Sequence, residues 1–178
     1  MFKLLKSLRG MDTQTQACSA DQITLPGEEF NPIKRQALIA KIQAQGVAGH
    51  VVGESVFFRT LDVLSPMPVV DLESFFNGNN DRGSIGCNLD HPGPQWFYDC
   101  LREIRDHDDV QDVLVGISQI EDMWPFSDTV FVLTRASDAE VSGWFAVLQP
   151  DEVESYAGAL PAAPELQPGF KTYSVWWD

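Results

Sequence analysis

Cysteine is scarce in this chain and never closely paired. Only Cys18, Cys87 and Cys100 occur among 178 residues, with no C-x-x-C spacing. That pattern argues against a disulfide framework or a zinc knuckle and fits a reducing cytoplasm. Long apolar runs are missing as well, which excludes a membrane-spanning helix. The opening MFKLLKSLRG interrupts Phe2, Leu4, Leu5 and Leu8 with Lys3, Lys6 and Ser7, so it offers neither the apolar stretch nor the cleavage site of a signal peptide. Two turns of such a helix bury too little to hold a membrane surface alone, and packing back on the domain is the better expectation.

Positive charge is the scarcest property of the second half. The chain carries 12 Lys and Arg against 26 Asp and Glu, a formal net charge of −14. Residues 106–178 contain two of the former and fourteen of the latter. A surface of that sign repels the phosphate backbone, so nucleic acid is not an expected partner, whereas a basic protein is. Solubility alone would also account for the acidity.

Catalytic and metal signatures are absent. No H-E-x-x-H, G-x-S-x-G, Walker or dinucleotide glycine pattern occurs, and no cofactor is expected. Aligning Asn77, Asn79 and Asp81 with the start of an EF-hand loop puts Arg82 at the glycine position and Asn88 at the glutamate position, so the match fails where it is strictest. His107-Asp108 resembles the metal-binding pair of HD-type phosphohydrolases, but only His50 and His91 remain to complete such a site.

What is present reads as a globular domain of ordinary apolar content, 44%, and long enough to bury one core. Residues 1–31 form a basic segment and a mobile linker ahead of a single domain over 32–178. Asn31-Pro32 starts a helix that Gly46 stops. HVVGESVFF is a β-hairpin within 47–60, with Gly53 opening a type II′ turn. PMPVVDLESFF is a connection carrying one helical turn after Asp71. SIGCNL is a short strand, and Phe97, Cys100, Leu101 and Ile104 give PQWFYDCLREIR an apolar helical face that points Cys100 into the core.

DVLVGISQI and TVFVLT are strands, the second apolar on both faces and therefore central. Ser137 and Glu140 write a capping box for a helix to about Leu148, with Trp144 on its core face. PDEVESYAG adds a helical turn, a proline-rich stretch crosses the surface, and KTYSVWW is a terminal strand. The fold class is α+β, a mixed or antiparallel sheet with about three helices packed mainly on one face.

Two stretches carry the functional expectations. IGCNLDHPG holds Cys87, Asn88, Asp90 and His91 together, the side chains of a thiol enzyme or small-molecule hydrolase. Cysteine nucleophiles usually recruit histidine from far along the chain, and strand alternation puts Cys87 on the face of Ile85 and Leu89, so a core thiol is the better expectation. The loop EDMWPFSD sets Met123, Trp124 and Phe126 among Glu121, Asp122 and Asp128. These aromatics either fold back as a lid, which solubility favours, or face outward with Trp124 as an anchor and the carboxylates as its rim. At Trp176-Trp177 one ring is expected inside and the other on an open face, making Trp177 a second candidate contact. The profile is that of a non-enzymatic cytoplasmic binding module, inhibitor-like or adaptor-like, with the enzyme and a structural subunit of a homo-oligomer as alternatives.

Overall fold

The computed structural model describes residues 29–58 and 65–178. Of the basic segment and linker expected over residues 1–31, residues 1–28, with Cys18, lie outside them. Packed structure begins slightly ahead of the boundary read at Asn31-Pro32. Phe30 bridges Asn79, and the Asn31 N–H donates to the Gly78 carbonyl at 2.8 Å.

Helix α1, Pro32–Gln43, starts as the cap predicts, with Asn31 Oδ1 accepting from the N–H groups of Ile33 and Lys34. Strands β1, His50–Val52, and β2, Ser55–Phe57, are the hairpin, turned at Gly53 with φ +62°. The connection after it contains a third strand, β3, Val69–Asp71, before the single-turn helix α2, Leu72–Phe76, capped by Asp71. Helix α3, Pro94–Arg105, buries the face that its spacing defines.

β4, Val110–Gly116, does not run on through DVLVGISQI as one strand. The chain leaves the sheet at Ile117-Ser118, and β5, Gln119–Ile120, joins the hairpin instead. β6, Thr129–Thr134, is buried at all six positions. Helix α4, Asp138–Phe145, carries the complete Ser137–Glu140 capping box and tightens into a 3-10 turn over Ala146–Leu148. Strands β7, Glu152–Tyr156, and β8, Lys171–Trp176, complete the elements of the described residues.

The sheets are antiparallel, ordered β1-β2-β5 and β3-β4-β6-β8-β7. All four α-helices of the described residues contribute to one core with Val113, Val115, Val130, Val132, Tyr173 and Val175 on one face of the larger sheet. Val69, Leu114, Phe131 and Leu133 on its other face are covered by Met67, Tyr156 and the proline-rich stretch through Leu160 and Ala163. The fold is α+β with its helices on one side, as the pattern of elements implied.

Three local expectations are corrected. PDEVESYAG is not a helical turn: it forms β7 against the outer edge of β8, so a tertiary pairing overrides weak local preference. The terminal strand is consequently interior to its sheet and β7 is the edge. SIGCNL is not a strand either. Arg82–Ser84 is a 3-10 turn, Ile85 makes one bridge to Ser127, and Gly86 turns the chain at φ +55°. A Cβ at Gly86 would lie 2.6 Å from Phe97 Cζ, so the backbone itself packs on that ring. The kink breaks the alternation: Ile85 is buried, whereas Cys87 is exposed and not the core thiol expected.

Candidate protein-binding surface

The segment 121–128 is closed at its base by reciprocal backbone bonds between Gln119 and Phe126, at 2.8 and 3.3 Å. Within it Trp124 turns inward, 2% exposed, with its ring centroid 6.1 Å from that of Phe30. Its Nε1 has no hydrogen-bond partner among the described residues. Arg35 holds the loop from above. Its Nε donates to the Met123 carbonyl at 2.6 Å, a terminal nitrogen donates to the Glu121 carbonyl, and the guanidinium lies over the Phe30 ring. This is the geometry of a lid.

The other residues of the expected contact surface divide accordingly. Glu121, Asp122 and Met123 face outward, and Phe126 is half-buried. Asp128 is no part of the rim: it is buried, accepting from the hydroxyls of Ser118 and Thr129, while its carbonyl accepts from the Trp177 N–H. Trp177 is the inward ring of the tryptophan pair, donating from Nε1 to the Leu148 carbonyl at 2.7 Å and packing on Phe97. Trp176 is half-buried. Anchor and second contact, as read from sequence, are core side chains in this conformation.

The Cys87–His91 stretch does not assemble a nucleophile and base. His91 is 4% exposed, with its ring 4.9 Å edge-on to Phe97 and 6.3 Å from Trp96, stacked on the latter. Its Nδ1 finds no partner among the described residues. Asn88 donates to the Asp178 carbonyl instead, and Asp90 is exposed opposite Arg82. Neither orients the imidazole, which a thiol mechanism requires. Among the described residues no three His, Cys, Asp or Glu side chains come together as a metal site. Trp144, read as core, is half-buried: it packs against the edge of the core and stacks near-parallel on His107 at 4.6 Å.

Sequence spacing did not reveal the ionic network at the start of α2. Lys41 donates to Asp71 and Ser74, while Arg105 donates to Glu73, which Tyr98 also approaches. Burial raises the Asp71 pKa, but hydrogen bonds from Lys41 and Ser74 outweigh it and hold the carboxyl below its usual range. Nearby Asp112, half-buried and accepting from the Val113 N–H, is pushed up by desolvation. The members come from α1, β3, α2, α3 and β4, so only the tertiary fold brings them together.

Across the described surface the same accounting repeats. Arg35 is spent on carbonyls, Lys41 on Asp71, and Arg82 on Asp90 and the His91 carbonyl. Arg102, Arg105, Arg135 and Lys171 pair with Asp99, Glu73, Asp109 and Asp138. Glu54, Asp122, Asp151, Glu152, Glu154 and Glu165 are exposed and join no ion pair among the described residues. No helix among the described residues is long and apolar enough to cross a membrane.

Comparison with known proteins gives kinship without a described activity. "Uncharacterized protein YfbO" of Escherichia coli (strain K12) is 39% identical over 119 residues, covering 64% of this chain and 85% of that protein. No solved structure matches the chain. The model of the Uncharacterized protein YfbO family matches residues 33–175, from the first turn of α1 almost to the end of β8, and the chain therefore belongs to that family.

Proposed function

We propose that the chain is a non-enzymatic, cytoplasmic binding module, inhibitor-like or adaptor-like, that recognises a basic protein partner. One observation carries the reading. Nearly all described cations are committed to intramolecular oxygens, so the outward field is set by carboxylates that join no ion pair among the described residues. Such a field steers a basic surface toward the chain and turns nucleic acid away. With Trp124 in the core, the 121–123 segment contributes Glu121, Asp122 and Met123 rather than an aromatic anchor.

Native lysate passed over the immobilised full chain at low and physiological salt tests this. Bound proteins should be enriched in basic ones, and their association rate should fall steeply as salt rises. A retained set without basic bias, or rates indifferent to salt, overturns the reading. Val51 and Val52, exposed at 64% and 55% on edge strand β1, favour a second reading as a subunit of a homo-oligomer. Light scattering across a concentration series separates the two.

A further inference from the structure

Three of the sheet edges of the described structure, β3, β1 and β7, are finished differently. At β3 the Gln45 side chain closes the edge, donating from Nε2 to the Val69 carbonyl at 2.7 Å and accepting from its N–H at 3.0 Å. At β1 the edge is three residues long. At β7 five residues run along an open side, and Glu152, Glu154 and Ser155 are exposed.

The direction of the β7 backbone groups follows from the ladder. The Trp177 N–H donates toward β6, to the Asp128 carbonyl. Antiparallel alternation then sends the backbone groups of Trp176, Ser174 and Thr172 toward β7, where they meet Glu152, Glu154 and Tyr156. Val153 and Ser155 are left with N–H and C=O directed away from the sheet, and no described residue bonds to them. Glu152 and Glu154 share one face of the strand by its period of two.

We infer that the open edge of β7 takes an extended segment of the basic partner as an added strand, with Lys or Arg side chains opposite Glu152 and Glu154. The proposal rests on the binding-module reading above and names its mode. Main-chain bonds to Val153 and Ser155 would supply adhesion of the kind seen in strand addition, and cross-strand charge pairs would supply selection. The same carboxylates guard the edge. A second copy would bring glutamates against glutamates, each on a chain of net charge −14, so the charge that admits a basic strand refuses this chain itself.

The probe is a capped, fluorescently labelled seven-residue peptide alternating lysine with threonine and valine, titrated into the full-length protein beside a matched glutamate peptide. The lysine peptide should bind in a salt-sensitive way and slow hydrogen exchange at the Val153 and Ser155 amides, and the glutamate peptide should not bind. Ser155→Pro removes only an outward N–H, a place where an edge strand tolerates proline, and should weaken binding about tenfold or more with the melting temperature unchanged. If that variant fails to fold, Glu154→Lys gives the same test through the charge.

Lysine-peptide binding indifferent to both substitutions overturns the β7 assignment and leaves the basic-partner reading standing. Absence of peptide binding, together with a lysate-captured basic protein whose binding survives Ser155→Pro, does the same. Failure of the peptide and of all basic capture removes both. Self-association abolished by Ser155→Pro would give the edge to a second copy, and peptide binding that appears only after Lys3, Lys6 and Arg9 are changed to glutamate would give it to the chain's own amino-terminal segment. Either result overturns an external partner.

Discussion

Trp124 and Cys87 show how far a side chain's neighbours, rather than its type, decide its role. Trp124 fills core volume against Phe30 beneath a strap made by Arg35. Trp124→Ala should therefore cost roughly 3 kcal/mol or more in a thermal melt, the scale for removing a large buried aromatic, and Trp124→Phe should recover much of that. Cys87 is exposed, so Cys87→Ser should change stability by no more than about 0.5 kcal/mol. Brief alkylation of the native protein followed by peptide mapping should mark Cys87 before Cys100. The Cys100 thiol is pushed up by burial, then by Glu103 and Asp99. Because folding favours its protonated form, Cys100 makes the fold less stable as pH rises past the range where a free thiol ionises. A core position for Cys87 was a sound reading of a two-residue period. One glycine, turned to positive φ against Phe97, cancels that period, and the six letters SIGCNL do not announce which way Gly86 turns.

Elements with their stops written locally were legible. Asn31-Pro32, the Ser137–Glu140 box and the Gly53 turn each satisfy or bend the backbone within a few residues, and α1, α4 and the hairpin stand where those signals put them. Strands β3 and β7 were not legible, because three to five residues become a strand only when a neighbour offers an edge. The Glu152, Val153, Glu154 alternation was a signal for β7, masked by the proline and acidic residues around it. At α2 the capping residue is itself titratable, which gives a test by pH. The Asp71 carboxyl is held below its unfolded value, so its contribution is fully present above that value and is lost as pH falls through the folded one. Asp71→Asn keeps a good capping side chain yet should lower stability at neutral pH and flatten the acid limb of a denaturation profile. Asp112 has the opposite sign: raised by burial, it costs stability as pH climbs from its unfolded to its folded value, and Asp112→Asn should stabilise the protein at neutral pH.

At the scale of the whole molecule, composition identified the acidic field, and the order of elements the class of fold, but neither shows where the field lies open. That depends on which cations are spent, and pairs such as Lys41–Asp71 and Arg135–Asp109 join residues far apart in sequence. With net charge −14, self-repulsion should outweigh the few exposed ion pairs. The melting temperature should therefore rise as added salt shortens the screening length from about 30 Å at 0.01 M to about 8 Å at 0.15 M. A fall would mean that the surface pairs dominate.

The strand order β3-β4-β6-β8-β7 also governs the timing of birth. On a ribosome β6 emerges with β4 on one side and nothing on the other, since its second neighbour, β8, is not made until residues 171–176. Through the synthesis of α4, β7 and the proline-rich crossing, the strand that is buried at every position in the finished fold carries an unfilled flank, and β7 has no strand to join. A nascent chain arrested at Gly169 should accordingly be protease-sensitive and bound by holding chaperones, and release of the few residues from Phe170 to Trp177 should convert it at once to the resistant state.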